Sequence, residues 1–156
     1  MSDANDVVLI ACSSTKLKTA TPVPAAELYQ GELFKAHLAY ARQVLGAPDG
    51  RIFILSAKYG LIRSDLKMYP YDLSLDKMSA DERRRWGMGV AYLLGMVTGL
   101  SGRSLSKAFV MGGKYYRQAI EDALALTNKP VVVPHPVGLG YAQQVAWYKA
   151  RVQEVA

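Results

Sequence analysis

Tyr69-Pro70-Tyr71-Asp72 sets two phenols and a carboxylate around a proline that stiffens their spacing. A carboxylate in aromatic company can stabilise an oxocarbenium-like sugar and position water, the chemistry of breaking the glycosidic bond to a base. Asp72 is the candidate for that role, with turn-capping ahead of Leu73-Ser74 as the competing reading. Four other polar or glycine-bearing stretches carry similar potential. They are Ser13-Ser14-Thr15-Lys16, Ser56-Ala57-Lys58-Tyr59-Gly60, Gly112-Gly113-Lys114-Tyr115-Tyr116, and the loop from His135 to Gly140. Lys16, Lys58 and Lys114 are cations suited to phosphate beside hydroxyls and helix N-terminal amides. Tyr59, Tyr71, Tyr115 and Tyr116 offer faces on which a base could stack.

Each of these four stretches follows an apolar run. Val7-Val8-Leu9-Ile10-Ala11, Ile52-Phe53-Ile54-Leu55, Ala108-Phe109-Val110-Met111 and Val131-Val132-Val133 are short and rich in large or β-branched residues, so each reads as a buried strand. Helical segments alternate with them. One runs from about Ala26 to Leu45, with Gly31 as an alternative start; Gly46 to Gly50 ends it. A second opens at the capping box Ser79-Ala80-Asp81-Glu82 and runs to about Leu100. A third runs from Lys114 to about Leu126, and a last one follows Gly140-Tyr141. Alternation of this kind predicts one three-layer α/β/α domain with a mainly parallel central sheet of about four strands. All four polar loops then lie on one edge of the sheet, outside the strand carboxyl ends, where ligands bind.

The expected site is therefore a basic, tyrosine-rich pocket. Asp72 and His135 are its candidate catalytic groups. Ser13, Ser14, Lys16, Ser56, Lys58, Tyr59, Tyr71, Gly112, Gly113, Lys114, Tyr115, Gly138 and Gly140 are its candidate base- or phosphate-binding residues. No metal or other cofactor is implied, because His37 sits mid-helix and His135 stands alone in the sequence. Cys12 reads as a small residue at a strand end, with no histidine near it in sequence to activate it. Ser13-Ser14-Thr15-Lys16 fits S-x-x-K without the surrounding context of that motif, and Gly112-Gly113-Lys114 lacks the spacing of a P-loop. Arg83-Arg84-Arg85 opposes its helix dipole; a phosphate-facing role competes with a solvated face beside a core Trp86.

The bulk properties agree with this picture. The 156 residues suit one core, and 51% hydrophobic with 21% charged residues is a globular composition. A net charge of +6 favours a polyanionic partner such as DNA. A single cysteine, a polar start unlike a signal peptide and no stretch long enough to span a bilayer point to a cytoplasmic protein without membrane association.

Cys12 through Leu17, Leu28-Tyr29-Gln30-Gly31, Ile54 through Ile62, Pro70-Tyr71-Asp72 and the close Gly138-Leu139-Gly140, Gln143-Gln144, Ala146-Trp147 occur in an order that resembles a bacterial and phage domain family of uncharacterised function. More distantly, the chain is similar to the YaaA peroxide-stress family, whose S-P-A-K-T-L-like start, L-Y-x-G segment and L-S-x-x-Y-G-L-L…P-Y-R core run in the same order. That resemblance implies DNA association and nucleic-acid damage control. The chain departs from it in carrying Asp72 where those proteins carry arginine, and in being much shorter, so their additional DNA-binding helical elements are not expected. Pro70-Tyr71-Asp72 and His135-Pro136 also resemble the loops that flank an extruded base in uracil-DNA glycosylase-like folds. Together these readings suggest a DNA base N-glycosylase acting on a modified or damaged base. The alternatives are a non-catalytic DNA-binding stress protein, and an enzyme on free nucleotides or nucleosides such as an N-glycosidase or deoxyribosyltransferase.

Overall fold

The computed structural model describes residues 4–100 and 104–156, with the side chains of 99 and 100 outside the description. Its centre is β1 (Val7–Ala11), all five residues of which are buried. β3 (Ile52–Ser56) lies parallel to β1 on one side, and β6 (Ala108–Met111) lies parallel on the other. The outer parallel strand is β7 (Val131–Val132), shorter than the valine run suggests. A fifth strand, β4 (Gly60–Arg63), pairs antiparallel with β3 and completes the order β4-β3-β1-β6-β7.

This fifth strand joins the four that the apolar runs predict. Gly60 sits at φ +76°, which lets Ala57-Lys58-Tyr59 turn back so that Ser56 pairs with Gly60 and Leu55 with Leu61. The proline-rich connection also carries structure. β2 (Val23–Pro24) pairs antiparallel with β5 (Lys67–Met68) in a separate two-stranded ribbon, and the short helix α1 (Ala25–Leu28) follows it.

The sheet is covered on both faces because every core strand alternates its side chains between two apolar layers. Val8, Ile10, Ile52 and Ile54 pack with α2 (Glu32–Gln43) and α5 (Tyr141–Val155). Val7, Leu9, Phe53 and Leu55 pack with α3 (Ala80–Leu100) and α4 (Lys114–Ala125). α2 begins after Gly31, the alternative start, because Tyr29 has extended backbone and Gln30 hydrogen-bonds back to Thr15. α3 opens on the expected capping box: the Glu82 amide donates to Ser79 Oγ at 3.1 Å, and the Ser79 amide donates to Glu82 Oε1 at 3.3 Å. Trp86 packs against the core, while Arg84 and Arg85 both pair with Asp81 at the exposed surface.

This topology fixes where a ligand can sit. The chain leaves β1 towards β3, then crosses over α3 to β6 on the other side of β1. α2 and α4 therefore depart from neighbouring strands to opposite faces, and the crevice between β1 and β6 is the switch point of the sheet. No helix among the described residues is long and apolar enough to cross a membrane.

Candidate functional site

At the carboxyl end of β3, Ser56 turns its hydroxyl into a relay. Ser56 Oγ lies 2.6 Å from Tyr71 Oη, and Tyr71 Oη lies 2.6 Å from Tyr29 Oη. The Tyr59 amide donates to the same Ser56 Oγ at 3.0 Å, and Trp86 Nε1 donates to the Ser56 carbonyl at 2.9 Å. The loop is thus held by β3, by α3 and by the segment carrying Tyr71. Pro70 limits the backbone ahead of Tyr71.

Two cations lean on these rings. Lys16 Nζ stands 4.6 Å from the Tyr71 ring centre and 5.7 Å from that of Tyr29. Lys58 Nζ stands 5.2 Å from the Tyr59 centre and 6.0 Å from that of Tyr71. All four distances fall within cation–π range. Tyr59 meets Tyr71 edge-to-face at 5.5 Å and remains 48% exposed, so part of its ring is open to solvent. Lys16 is placed here by backbone: it bridges antiparallel to Tyr29.

Burial pushes the phenols of Tyr29, Tyr71 and Tyr116 well above the ordinary tyrosine range. All three are therefore neutral hydrogen-bonding groups at physiological pH. None is a ready base.

Cys12 joins this platform to the switch-point crevice. Its Sγ lies 3.2 Å from Tyr116 Oη, and it lies close enough to Tyr71 and Tyr29 to disfavour their ionisation. The crevice itself is a cavity of about 280 Å³ between Cys12, Ser13 and Ser14 on the β1 side and Gly112, Gly113 and Tyr116 on the β6 side. Close packing demands two of the glycines around it. A Cβ on Gly112 would stand 2.3 Å from Ala11 Cβ, and one on Gly31 would stand 2.7 Å from Ser13 Cβ. Ser13 Oγ accepts from the Gly31 amide at 3.1 Å and donates to the Thr15 carbonyl at 2.8 Å, tying the β1 loop to the start of α2.

The expected site residues thus fall into separate groups. Lys16, Ser56, Lys58, Tyr59 and Tyr71 come together on the platform, and Ser13, Ser14, Gly112 and Gly113 line the crevice beside it. Lys114 and Tyr115 form their own cluster: Tyr115 is flanked by Lys114 Nζ at 5.0 Å and by the Arg83 guanidinium at 4.2 Å. Asp72 follows Tyr71 in the chain, is exposed, and makes no hydrogen bond or ion pair among the described residues.

His135 is not part of the platform. It is buried, its Nδ1 lies 2.8 Å from Tyr148 Oη, and it lines a second cavity with Arg117 and Gly138. Burial, then the Arg117 charge, holds its imidazole below the usual histidine range. Gly138 sits at φ +91° in the exposed loop, and Gly140 is the N-cap of α5, its amide donating to Gln143 Oε1 at 2.9 Å. These two glycines shape a turn and a helix start.

Three residues join the site without having been expected there. Tyr29 ends the hydroxyl relay, Cys12 bridges platform and crevice, and His37 forms part of the crevice wall. The Leu28-Tyr29-Gln30-Gly31 segment was the available signal for Tyr29. Nothing in the local pattern of α2 distinguishes His37 from a packed core histidine.

The sequence profile of a family of unknown function, DUF6884, matches residues 7–150, which takes in every strand of the sheet and both parts of the site. No protein of curated function matches the chain.

Proposed function

The chain belongs to DUF6884, a family of unknown function, and from its own geometry we propose that the strand-edge platform takes a nucleotide unit of DNA and that the chain cleaves the N-glycosidic bond of a modified or damaged base. The observation that carries this reading is the convergence of Lys16 and Lys58 on Tyr71 and Tyr59, with the Tyr71 hydroxyl anchored by Ser56 and Tyr29. Two cations beside a partly exposed aromatic ring match a base with its phosphate. Asp72 supplies the carboxylate. It stabilises positive charge on the sugar as the C1′–N bond breaks and its electron pair leaves on the base; water then adds at C1′, and the proton it loses ends on the departing base nitrogen. A base paired in a duplex reaches this platform only if it is extruded.

Purified protein is incubated with plain DNA, with hypermodified phage DNA and with mixed nucleotides, and freed bases are read by mass spectrometry. Base release from polymer, abolished by Asp72→Asn while DNA binding persists, is the expected result. Release from monomers alone would move the activity to free nucleotides.

One observation favours a second reading, non-catalytic DNA binding. The buried phenols of Tyr71 and Tyr29 are held neutral by burial, and Asp72 is exposed, with no hydrogen-bond or ion-pair partner among the described residues to orient it. Salt-sensitive binding with no base released from any substrate would establish it.

A further inference from the structure

His37 is 1% exposed, and its Nε2 is buried with no hydrogen-bond partner. A polar nitrogen in that condition costs free energy, so polar atoms of a bound ligand gain by meeting it. His37 belongs to the wall of the β1/β6 crevice, and its ring is held in place edge-to-face by Tyr148 at 4.5 Å.

Donors lie among the apolar side chains of Ala11, Leu33 and Phe34 in the rest of the crevice. Both α2 and α4 are twelve-residue helices that start there, after Gly31 and Gly113, and neither glycine supplies a capping side chain. On α2 the Gly31 amide is taken by Ser13 Oγ and the Leu33 amide by Tyr141 Oη, so the Glu32 and Phe34 amides, with those that open α4, are left to carry the positive end of a helix dipole. Ser13, Ser14 and Thr15 add main-chain and hydroxyl groups, and no Asp or Glu among the described residues lines the cavity. Donors without a carboxylate beside them suit an anion with several oxygens better than a cation.

We propose that the crevice is a phosphate subsite, in which His37 Nε2 and the first-turn amides of α2 and α4 hold the oxygens of one phosphate group. It deepens the nucleotide reading by giving the phosphate its seat, with the base on the Tyr59–Tyr71 platform next to it. Cys12, which belongs to both, sets the join between them.

The probe is inorganic phosphate, titrated into the full chain and followed by 1H–15N NMR, with chloride at equal ionic strength as control. Saturable shifts at the His37 ring and at the amides of Glu32, Phe34, Gly113 and Lys114 are expected. His37→Phe keeps the contact with Tyr148 and should weaken phosphate binding at least about tenfold, the loss of one hydrogen bond to a charged group. A second readout needs no variant. Cys12, the only cysteine, lines the cavity, so phosphate should slow its alkylation by iodoacetamide. Shifts confined to Lys16 and Lys58, unchanged affinity in folded His37→Phe, or alkylation indifferent to phosphate would each overturn the subsite. Those outcomes leave base release untouched, and failure of base release leaves phosphate binding untouched.

Discussion

The hydroxyls of Tyr29 and Tyr71 lie 2.6 Å apart, joining the segment before α2 to the segment after β5 across 42 residues of chain. Ser56 extends the link to the end of β3. Tyr71→Phe removes the central oxygen and leaves the Tyr29 hydroxyl without this partner, while Ser56 keeps the Tyr59 amide. A loss of about 1–2 kcal/mol is expected, read from urea unfolding midpoints at unchanged slope. A variant as stable as the parent would mean that water replaces the relay.

The two cations of the platform have a measurable signature. In the proposed complex each neutralises one phosphate, so Lys16→Ala and Lys58→Ala should each lower the salt slope of DNA binding by about one. Fluorescence anisotropy across a salt series gives the slopes. Equal slopes in parent and variants would take DNA off this face.

His37 makes stability depend on pH. Burial, and in smaller part the neighbouring His135, holds its imidazole down at about 3, against 6.5 for a free side chain. Between those values the unfolded chain binds a proton that the folded chain refuses. Stability is thus full above about pH 6.5 and falls as the pH drops towards about 3, by roughly 1.4 kcal/mol per unit from this group. His37→Phe should flatten that part of the slope in urea melts. Some acid sensitivity will persist, because burial lowers His135 in the same direction. Parallel curves for parent and variant would contradict the buried neutral ring.

Neighbouring glycines should behave differently. Gly112→Ala drives a Cβ to 2.3 Å from Ala11 on the central strand, where neither backbone can yield. Gly113→Ala meets nothing within 4 Å. The first should cost about 3 kcal/mol or more, the second less than about 1 kcal/mol. Thermal or urea unfolding of the two proteins side by side decides the point.

Asp72→Asn should unfold with the parent, within about 0.5 kcal/mol, since the carboxylate is exposed and has no partner among the described residues. Any loss of base release in that variant then reports chemistry and not folding. A stability loss above about 1 kcal/mol would instead favour the turn-capping role.

Much of this architecture is written in local pattern. Val7–Ala11 and Ile52–Ser56 are apolar runs long enough to identify as buried strands, and Ser79 with Glu82 announces α3. β4 escaped because Gly60-Leu61-Ile62-Arg63 is short and begins on a glycine, so it continued the look of the loop before it. Lys16, Ser56, Lys58, Tyr59 and Tyr71 were legible as candidates because they sit at or past strand ends or beside a stiffening proline, though nothing in the pattern separates them from Lys114 and Tyr115. Tyr29, Cys12 and His37 were not. Their partners are far away in sequence, such as Tyr116, 104 residues beyond Cys12, and only the strand order brings them together. For the same reason the sequence places His135 just past a strand without showing that Tyr148, Arg117 and His37 are its neighbours.

α5 gives the crevice part of its enclosure. Tyr148 braces His37 from behind, and the Tyr141 hydroxyl accepts the Leu33 amide at the mouth. Both tyrosines follow every strand of the sheet in the chain. A chain emerging from the ribosome can therefore assemble its whole sheet and still lack a finished cavity. Competence to bind would arrive in one late step, when the last helix docks.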